Sequence, residues 1–443
     1  MGRGAAARWH GHADVKSLKK ILWAVGIAGL LVLQACRGGG SSTGGAEVRL
    51  INATRNHPSI DLIANGSALV TGVATQQASA SVGVSATAYT IQITDTGSQT
   101  ALATVGPSFA ANVNYSLLVY EADGAVKVSF VGQSDAAAAA GHSNLRVYDA
   151  AIETGALDVY VTAPNVDLTA AGPPSFSIGG SGNVQVSGPL AFATGTYRIR
   201  VTTQGSVSDV RLDIPSILLG EQQVQYLVLT PTAGGALVDG AVLVDGGGYT
   251  GYPNTNARVR LVSGVTSGLV AAAVGSNVVQ SGAQSPNIGS YVTVPSGSAT
   301  WAITVNGISS AVPPITLGAG SDNTVLLTGT PAASTATPLL DDSKFALTTS
   351  TAALRLLNGL SNSSAGVSLS VDFNLLDDNV LPATSSQYLS VPTSTNMRLE
   401  VDSTGSSTPL WLQSGVDIPA DGAYTVFVIG DAANPEVTML RDR

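Results

Sequence analysis

The sequence predicts an all-β chain of four tandem sandwich units, and three observations predict it. An arginine flanked by large aliphatic residues recurs four times at intervals of about 100 residues. The middle segment of each interval alternates large apolar residues with small or charged ones, the period-2 pattern of a half-buried strand. The chain has 50 glycines and only 11% charged residues, a composition typical of β proteins with many turns. We therefore expect four antiparallel, immunoglobulin-like β-sandwiches.

The repeated arginine motif marks the organisation of the chain. Its four copies are Val48-Arg49-Leu50, Leu145-Arg146-Val147, Val259-Arg260-Leu261 and Leu354-Arg355-Leu356. With Arg258, two positions before Arg260, as the third marker, the steps between markers are 97, 112 and 97 residues. Each step is the length of one small domain. We expect the marker arginines to occupy outward strand positions or to pair across strands, and not to bind anions.

Shifts in composition set the predicted boundaries. Residues 1–35 are a predicted signal, and residues 36–46 are a flexible tether of Gly, Ser and Thr. The predicted β-sandwich units lie at residues 47–133, 144–245, 256–329 and 352–443. The second unit is the longest because it contains a Gly- and Pro-rich stretch, residues 171–188, which we expect to be a long hairpin or surface loop.

The first 36 residues predict where the protein is located. Three lysines precede the apolar run of residues 21–33, which is shorter than the roughly 20 residues that span a bilayer. A charged start, a short apolar stretch and a small residue before the cut indicate a secretory signal. Leu33-Gln34-Ala35-Cys36 resembles the end of a bacterial lipoprotein signal, which implies acylation of Cys36, the only cysteine; the alternative is an ordinary signal with a chance cysteine. In such lipoproteins an Asp after the cysteine retains the protein inside, so Arg37 favours the outer membrane.

The mature chain offers little material for catalysis or cofactor binding. Removal of residues 1–35 leaves 15 basic and 28 acidic residues without a basic cluster, which argues against a nucleic-acid partner. Only His57 and His142 remain as histidines, so a zinc site of Cys and His ligands is excluded, and we expect no cofactor or metal. Calcium at Asp341-Asp342 or Asp377-Asp378 is an open alternative to exposed acidic turns.

Two of the units resemble a known family. The first contains Arg49-Leu50-Ile51-Asn52-Ala53 followed by Ser-Ile-Asp-Leu-Ile-Ala-Asn-Gly at residues 59–66, and the second contains Arg146-Val147-Tyr148-Asp149-Ala150 followed by Leu-Asp-Val-Tyr-Val at residues 157–161. This pattern resembles the bacterial envelope domain catalogued as domain of unknown function 4397. The resemblance covers residues 47–245 and is thin beyond them. It implies an exported all-β domain and brings no activity to transfer.

We therefore predict a non-catalytic, lipid-anchored protein of the bacterial outer membrane that acts as a binding or spacer module. Its predicted partners are the membrane, through acyl chains on Cys36, and an envelope protein or a glycan. Tyr249, Tyr252 and Tyr291 lie in or near Gly-rich turns and are the candidates for ligand contact. The alternative is a carbohydrate-binding or carbohydrate-active protein with a site between adjoining units, which as an enzyme needs two facing acids about 5 to 10 Å apart. Asp61 and Asp158 align between units, so we expect them to hold turns or pair with the arginines.

Overall fold

The structure is a computed structural model that describes residues 44–132, 135–179, 182–343, 350–420 and 422–443. Its regular structure is strand apart from two single 3₁₀ turns, Ile152–Thr154 and Leu168–Ala170. The strands form four successive two-sheet units, so the predicted all-β tandem sandwich is confirmed. Cys36 and the predicted signal lie outside the described residues. Within the described ranges, no helix has the length and apolar character needed to cross a membrane.

Unit 1 contains eight strands. They are β1 Gly45–Asn52, β2 Ser59–Ala64, β3 Ser67–Ala74, β4 Val82–Ser85, β5 Ile91–Asp95, β6 Ala101–Val105, β7 Asn114–Ala122 and β8 Ala125–Val131. The sheet that holds the opening strand, here called the first sheet of the unit, has the order β4-β1-β7-β8. The second sheet has the order β3-β2-β5-β6.

Unit 2 repeats this plan with additions. Its strands are β9 His142–Asp149, β10 Leu157–Thr162, β11 Phe176–Ile178, β12 Gln185–Val186, β13 Leu190–Ala193, β14 Gly195–Thr203, β15 Val210–Leu219, β16 Val224–Pro231, β17 Val238–Val244 and β18 Tyr249–Tyr252. The first sheet has the order β12-β9-β16-β17-β18, with β13 also paired to β9. The second sheet has the order β11-β10-β14-β15.

Unit 3 has the same two sheets and one small extra ribbon. Its strands are β19 Asn256–Ser263, β20 Leu269–Val274, β21 Asn277–Gln284, β22 Asn287–Ile288, β23 Val292–Pro295, β24 Gly297–Ala299, β25 Trp301–Val305, β26 Ile308–Ser309, β27 Ile315–Leu317, β28 Asp322–Thr330 and β29 Ala333–Leu340. The first sheet has the order β22-β19-β28-β29 with β23 on β19, and the second has the order β21-β20-β25-β26. Strands β24 and β27 pair with each other.

Unit 4 ends the chain. Its strands are β30 Thr351–Ser361, β31 Val367–Val371, β32 Asn374–Val380, β33 Thr384–Ser385, β34 Leu389–Pro392, β35 Ser394–Ser403, β36 Trp411–Ile418, β37 Ala423–Asp431 and β38 Glu436–Arg441. The first sheet has the order β33-β30-β37-β38 with β34 on β30, and the second has the order β32-β31-β35-β36.

One strand pair in each unit is parallel, which the antiparallel expectation did not include. The opening strand runs parallel to one neighbour in its first sheet, and these pairs are β1/β7, β9/β16, β19/β28 and β30/β37. The register aligns the arginines: Arg49 faces Ser116, Arg146 faces Tyr226, Arg260 faces Thr324 and Arg355 faces Thr425. Arg260 is therefore the third marker, and the choice of Arg258 was wrong. Both arginines lie on one face of β19, two residues apart, so spacing alone does not separate them.

The strands of the second sheets have the predicted period of two. Their inward residues are 2% exposed or less, namely Ile91, Ile93, Ile199, Val201, Ile303, Val305, Leu399 and Val401. Met397 is also buried in the core of unit 4, while Tyr197 and Trp301 pack from the margin against the cores of units 2 and 3. Each unit thus has its own hydrophobic core.

The first sheets are buried on both faces because the units pack in pairs. Ile51, Leu118 and Tyr120 of unit 1 contact Tyr148 and Tyr226 of unit 2 in one cluster. A second cluster joins the first sheets of units 3 and 4 and contains Val262, Leu326, Leu357, Phe427 and Ile429. Because both faces are buried, the sequences of these strands contain continuous apolar runs, without the alternation of apolar and polar residues that a half-buried strand shows.

The two pairs of units also contact each other through loops. The N–H of Gly234 in unit 2 donates to the carbonyl of Gly320 in unit 3 over 2.8 Å. Arg443, at the end of unit 4, reaches Glu153 in unit 2, with 2.7 Å between Nη1 and Oε2. Unit 2 therefore contacts both members of the second pair.

Several boundaries differ from the predicted ones. Strand β29, Ala333–Leu340, extends unit 3 beyond residue 329, because its small polar residues carry a weak strand signal. Strand β18, Tyr249–Tyr252, lies in the predicted connection after residue 245 and pairs with β17. The stretch 171–188 contributes β11 to the second sheet and β12 to the first, so it is more than a surface loop.

A buried polar residue lies three positions after the aligned arginine in the opening strand of each unit. The four residues are Asn52, Asp149, Ser263 and Asn358, each 1% exposed or less. Asn52 Oδ1 accepts the Thr54 N–H over 3.0 Å, and its amide donates to the carbonyls of residues 57 and 73. Asp149 accepts the Ala151 N–H over 3.0 Å but is a carboxyl group. Burial raises the pKa of Asp149 to about 7.

We predict that Asp149→Asn stabilises the protein at pH 8 and changes its stability little at pH 4. The folded state keeps the Asp149 proton up to about pH 7, whereas the unfolded chain loses it near pH 4. The free energy of unfolding therefore falls as the pH rises from about 4 to about 7, by on the order of 2 to 4 kcal/mol from this group. Denaturant melts of the parent and the variant across this range measure the difference. The matched control is Asn52→Asp, which should introduce the same pH dependence in unit 1; parallel pH profiles for Asp149→Asn and its parent would contradict the assignment.

A second prediction concerns the core of unit 4. Met397→Ala should lower the free energy of unfolding by about 2 to 5 kcal/mol, because Met397 is 1% exposed. Leu412→Ala is the matched control on the same sheet, since Leu412 is 51% exposed and its truncation should stay within about 0.5 kcal/mol. Equal losses for the two variants in denaturant melts would show that the inward positions are misplaced.

Candidate functional site

Three of the aligned arginines make the same cross-strand hydrogen bond. Arg49 Nε donates to Ser116 Oγ over 2.7 Å, Arg260 Nε to Thr324 Oγ1 over 2.9 Å, and Arg355 Nε to Thr425 Oγ1 over 2.8 Å. The parallel register of the first sheet positions each hydroxyl beside the guanidinium group. These arginines point away from the core of their own unit but are at most 6% exposed, because the partner unit covers them.

Units 3 and 4 exchange ion pairs at this covered face. Arg260 of unit 3 contacts Asp442, which follows the last strand of unit 4, with 2.6 Å between Nη1 and Oδ1. Arg355 of unit 4 contacts Asp341, which follows the last strand of unit 3, with 2.5 Å between Nη2 and Oδ1. All four side chains are nearly inaccessible to solvent. Each unit therefore supplies the counter-charge for the arginine of the other.

Two tyrosines complete the exchange, also in matching positions. Tyr291 donates to Asp341 Oδ2 over 2.6 Å, and the guanidinium carbon of Arg260 lies 4.4 Å from the centre of its ring. Tyr388 donates to Asp442 Oδ2 over 2.8 Å, and Arg355 lies 4.4 Å from its ring. Asp341 thus accepts from Arg355, Tyr291 and Thr324. Asp442 accepts from Tyr388 and Thr425 through Oδ2, and its Oδ1 is in ion-pair contact with Arg260. We call these eight residues, Arg260, Tyr291, Thr324, Asp341, Arg355, Tyr388, Thr425 and Asp442, the exchange network.

Electrostatics within the exchange network favour the charged forms. Burial opposes ionisation of Asp341, but Arg355 and Arg260 outweigh it and hold the pKa of Asp341 below its ordinary value. Burial likewise disfavours the charge of Arg355, yet Asp341 raises its pKa above the ordinary value. The same balance with Asp442 raises the pKa of Arg260. The two arginines and Asp341 are therefore charged at neutral pH.

Units 1 and 2 contain a looser version of the same arrangement. Asp245 follows β17 as Asp341 follows β29, and its charge stabilises that of Arg49. Arg49 Nη1 also donates to the carbonyl of Gly247 over 2.8 Å. Tyr226 occupies the position at which the other units have Ser or Thr, so Arg146 Nε has no acceptor. Arg146 instead forms a partly exposed ion pair with Asp135, with 3.0 Å between Nη2 and Oδ1.

The structure places the three candidate tyrosines in contacts within the chain. Tyr291 belongs to the exchange network. The hydroxyl of Tyr249 donates to the Gln76 carbonyl of unit 1 over 3.3 Å, and Tyr252 packs against the core of unit 2. Contact with an external ligand stays a prediction for these residues, and the structure gives each of them a structural role.

The acidic residues singled out in the sequence also bind the chain itself. Asp61 accepts the N–H of Gly72 over 2.7 Å and the Thr96 hydroxyl over 2.8 Å, and these bonds outweigh burial and lower its pKa. Asp158 accepts from Ser177 and from the N–H of Gly205, so both residues hold turns. The described residues contain no group of three His, Cys, Asp or Glu side chains that can hold a metal ion.

Sequence reasoning missed the partners of the arginines. Three acids, Asp245, Asp341 and Asp442, come directly after β17, β29 and β38. An acid at this position in three units, in a chain with few charges, is a signal that pairs with the repeated arginine. Only the strand register identifies which arginine it reaches.

One segment of the chain matches a family model. Residues 46–160 match the model described as Domain of unknown function (DUF4397). The DUF4397 match covers unit 1 and reaches strand β10 of unit 2, so the resemblance found in the sequence is confirmed for this segment. The solved structure described as "The Bacillus anthracis TIE protein" is similar at 7% identity over 89% of this chain and 69% of its own, with a TM-score of 0.14. No curated protein matches the chain.

We predict that the exchange network couples units 3 and 4. Arg355→Gln removes the counter-charge of buried Asp341 and should lower the free energy of unfolding by about 3 to 5 kcal/mol. The control is Arg398→Gln, which breaks a partly exposed ion pair with Glu400 inside unit 4 and should cost less than about 1 kcal/mol.

Adding Asp341→Asn to Arg355→Gln tests the pair directly. The double variant should lose less than the sum of the two single losses, because both changes remove the same interaction. Additive losses in the double-mutant cycle, or a loss for Arg355→Gln no larger than that of the control, would contradict the coupling.

Proposed function

We propose that the protein is a non-catalytic, lipid-anchored component of the bacterial outer membrane that presents two pairs of β-sandwiches as a binding or spacer module. The observation that carries the proposal is the lone Cys36 after an apolar run and Leu-Gln-Ala. Several acyl chains on one residue hold a protein at a membrane, whereas one chain does so only weakly. The glycine-rich tether that follows separates the folded body from the anchor.

The state of the buried acids supports a non-catalytic role over the enzyme alternative. A glycosidase site between units needs two carboxyl groups that are free to act on a substrate. Between units 3 and 4, Asp341 accepts bonds from an arginine, a tyrosine and a threonine. Asp442 accepts bonds from a tyrosine and a threonine and is in ion-pair contact with Arg260. These acids are committed to holding the units together.

We predict that Cys36→Ala abolishes acylation and moves the protein from the detergent phase to the aqueous phase. The thioether that carries the lipid requires the cysteine sulfur, so no other residue can replace it. Metabolic labelling with a fatty acid and detergent phase partition measure the two effects. Ser41→Ala, in the tether, is the control and should behave as the parent. Undiminished labelling of Cys36→Ala would contradict the anchor.

A variant at residue 37, next to the anchor, tests the membrane localisation independently of acylation. Arg37→Asp keeps Cys36 and should remain acylated but collect in the inner-membrane fraction. If Arg37→Asp fractionates with the outer membrane as the parent does, the outer-membrane part of the proposal is wrong while the lipid anchor stands.

A further inference from the structure

The second sheet of unit 2 has on its outer face a connection that is longer than its counterparts in the other units. In units 1, 3 and 4 the first hairpin of this sheet closes with two residues, at 65–66, 275–276 and 372–373. In unit 2 the corresponding connection, residues 163–175, joins β10 to β11 and folds over the sheet. Leu168 in this connection is buried, and Tyr160 is 4% exposed although it shares the outward face with Arg200. The cover leaves a cavity of about 470 Å³ against the sheet.

Arg200 makes no ion-pair contact among the described residues, although Asp213 and Asp167 act favourably on its charge from a longer distance. Its side chain lines the cavity, and the residue is 5% exposed. Nη2 donates to Thr162 Oγ1 and to the Val166 carbonyl, both over 2.9 Å, but Nε is buried without an acceptor. Burial, together with the charge of Arg198, lowers the pKa of Arg200. A buried cation with an unused donor is costly unless an anion satisfies it.

The other charges at the cavity define what kind of anion fits. Arg198 is paired with Asp213, with 2.8 Å between Nε and Oδ1, so these two neutralise each other. Asp167 lies at the exposed rim, and hydrogen bonds from Thr169 lower its pKa, which keeps it ionised. A bare anion would be repelled by Asp167. A ligand that carries both a carboxylate and hydroxyl groups satisfies both sites, because its hydroxyls can donate to Asp167 while its carboxylate meets Arg200.

The remaining walls agree with a ring-sized ligand. Val166, Leu168 and Val210 give the cavity apolar sides, and exposed Asn165 adds an amide at the rim. The volume lies within the range of small-molecule sites. We propose that this cavity of unit 2 binds a carboxylate-bearing sugar, of the size of a single uronate. The proposal goes beyond the envelope module proposed above, which names no ligand, and it does not depend on the lipid anchor.

Calorimetric titration of the purified full-length protein with glucuronate tests the proposal. Glucose, which has the hydroxyls without the acid, and butyrate, which has the acid without the hydroxyls, are the comparison ligands. We expect glucuronate to bind at least about ten-fold more tightly than either, since the site offers partners for both groups. No binding of glucuronate overturns the proposal, and equal binding of butyrate overturns its sugar part.

Variants locate the binding in the cavity. Arg200→Gln should weaken glucuronate binding at least about ten-fold. Asn165→Ala, an exposed loop change that leaves the core intact, should weaken it measurably even if Arg200→Gln fails to fold. Arg398→Gln, in unit 4, is the matched arginine control and should bind as the parent. If Arg200→Gln folds, unchanged affinity in both variants overturns the location. If Arg200→Gln does not fold, unchanged affinity in Asn165→Ala alone overturns it. Because none of these variants alters Cys36, failure here is distinct from failure of the anchor.

Discussion

The structure depends on the neutralisation of arginines that each unit buries and cannot neutralise alone. Arg260 and Arg355 lie on the faces that their units turn toward each other, and the carboxylate in ion-pair contact with each comes from the other unit. An uncompensated buried charge costs several kcal/mol, which is a large part of the stability of a domain. Separation of the pair would return each arginine to water but would also expose the apolar residues of both first sheets. Polar and apolar surfaces therefore favour the same pairing.

The geometry of the guanidinium group explains why the repeated residue is arginine. Nε of Arg355 binds Thr425 on the neighbouring strand of its own sheet, while Nη2 reaches Asp341 of the other unit. The two bonds use different edges of one rigid, planar group, so the side chain fixes the register within the sheet and the position of the partner together. The ammonium group of lysine has no such fork.

The two pairs achieve the same contact with different balances of polar and apolar surface. In units 1 and 2, Tyr226 replaces the hydroxyl residue, and its ring packs edge-on against Tyr148 with 5.7 Å between ring centres. Arg146 is consequently displaced to a partly exposed position beside Asp135. The apolar cluster between these units is larger than that between units 3 and 4. A larger apolar contact thus accompanies a weaker ion-pair exchange.

The sequence correctly predicted the direction of side chains in strands with one solvent-exposed face. It did not do so in strands that are buried on both faces. Ile199 and Val201 alternate with outward arginines, so their inward direction was correctly predicted. In β16 the residues from Tyr226 to Leu229 are all apolar, so the pattern does not distinguish the two faces of the strand. Arg258 was chosen in place of Arg260 for a different reason, since both lie on one face of β19. Pairing between units is a long-range contact, so the sequence pointed to Asp341 only as part of an acidic pair and did not identify its arginine partner.

A comparison of the four units distinguishes the features that they share from those found in one unit only. The first sheets are occupied by contacts between units. The outer faces of the second sheets are free of this constraint, and function in β-sandwiches is commonly carried by the loops that such a frame positions. Three units close the relevant hairpin with two residues, whereas unit 2 extends it and covers Arg200. The departure from the repeat coincides with a buried arginine whose Nε has no acceptor among the described residues, and this is where the proposed ligand site lies.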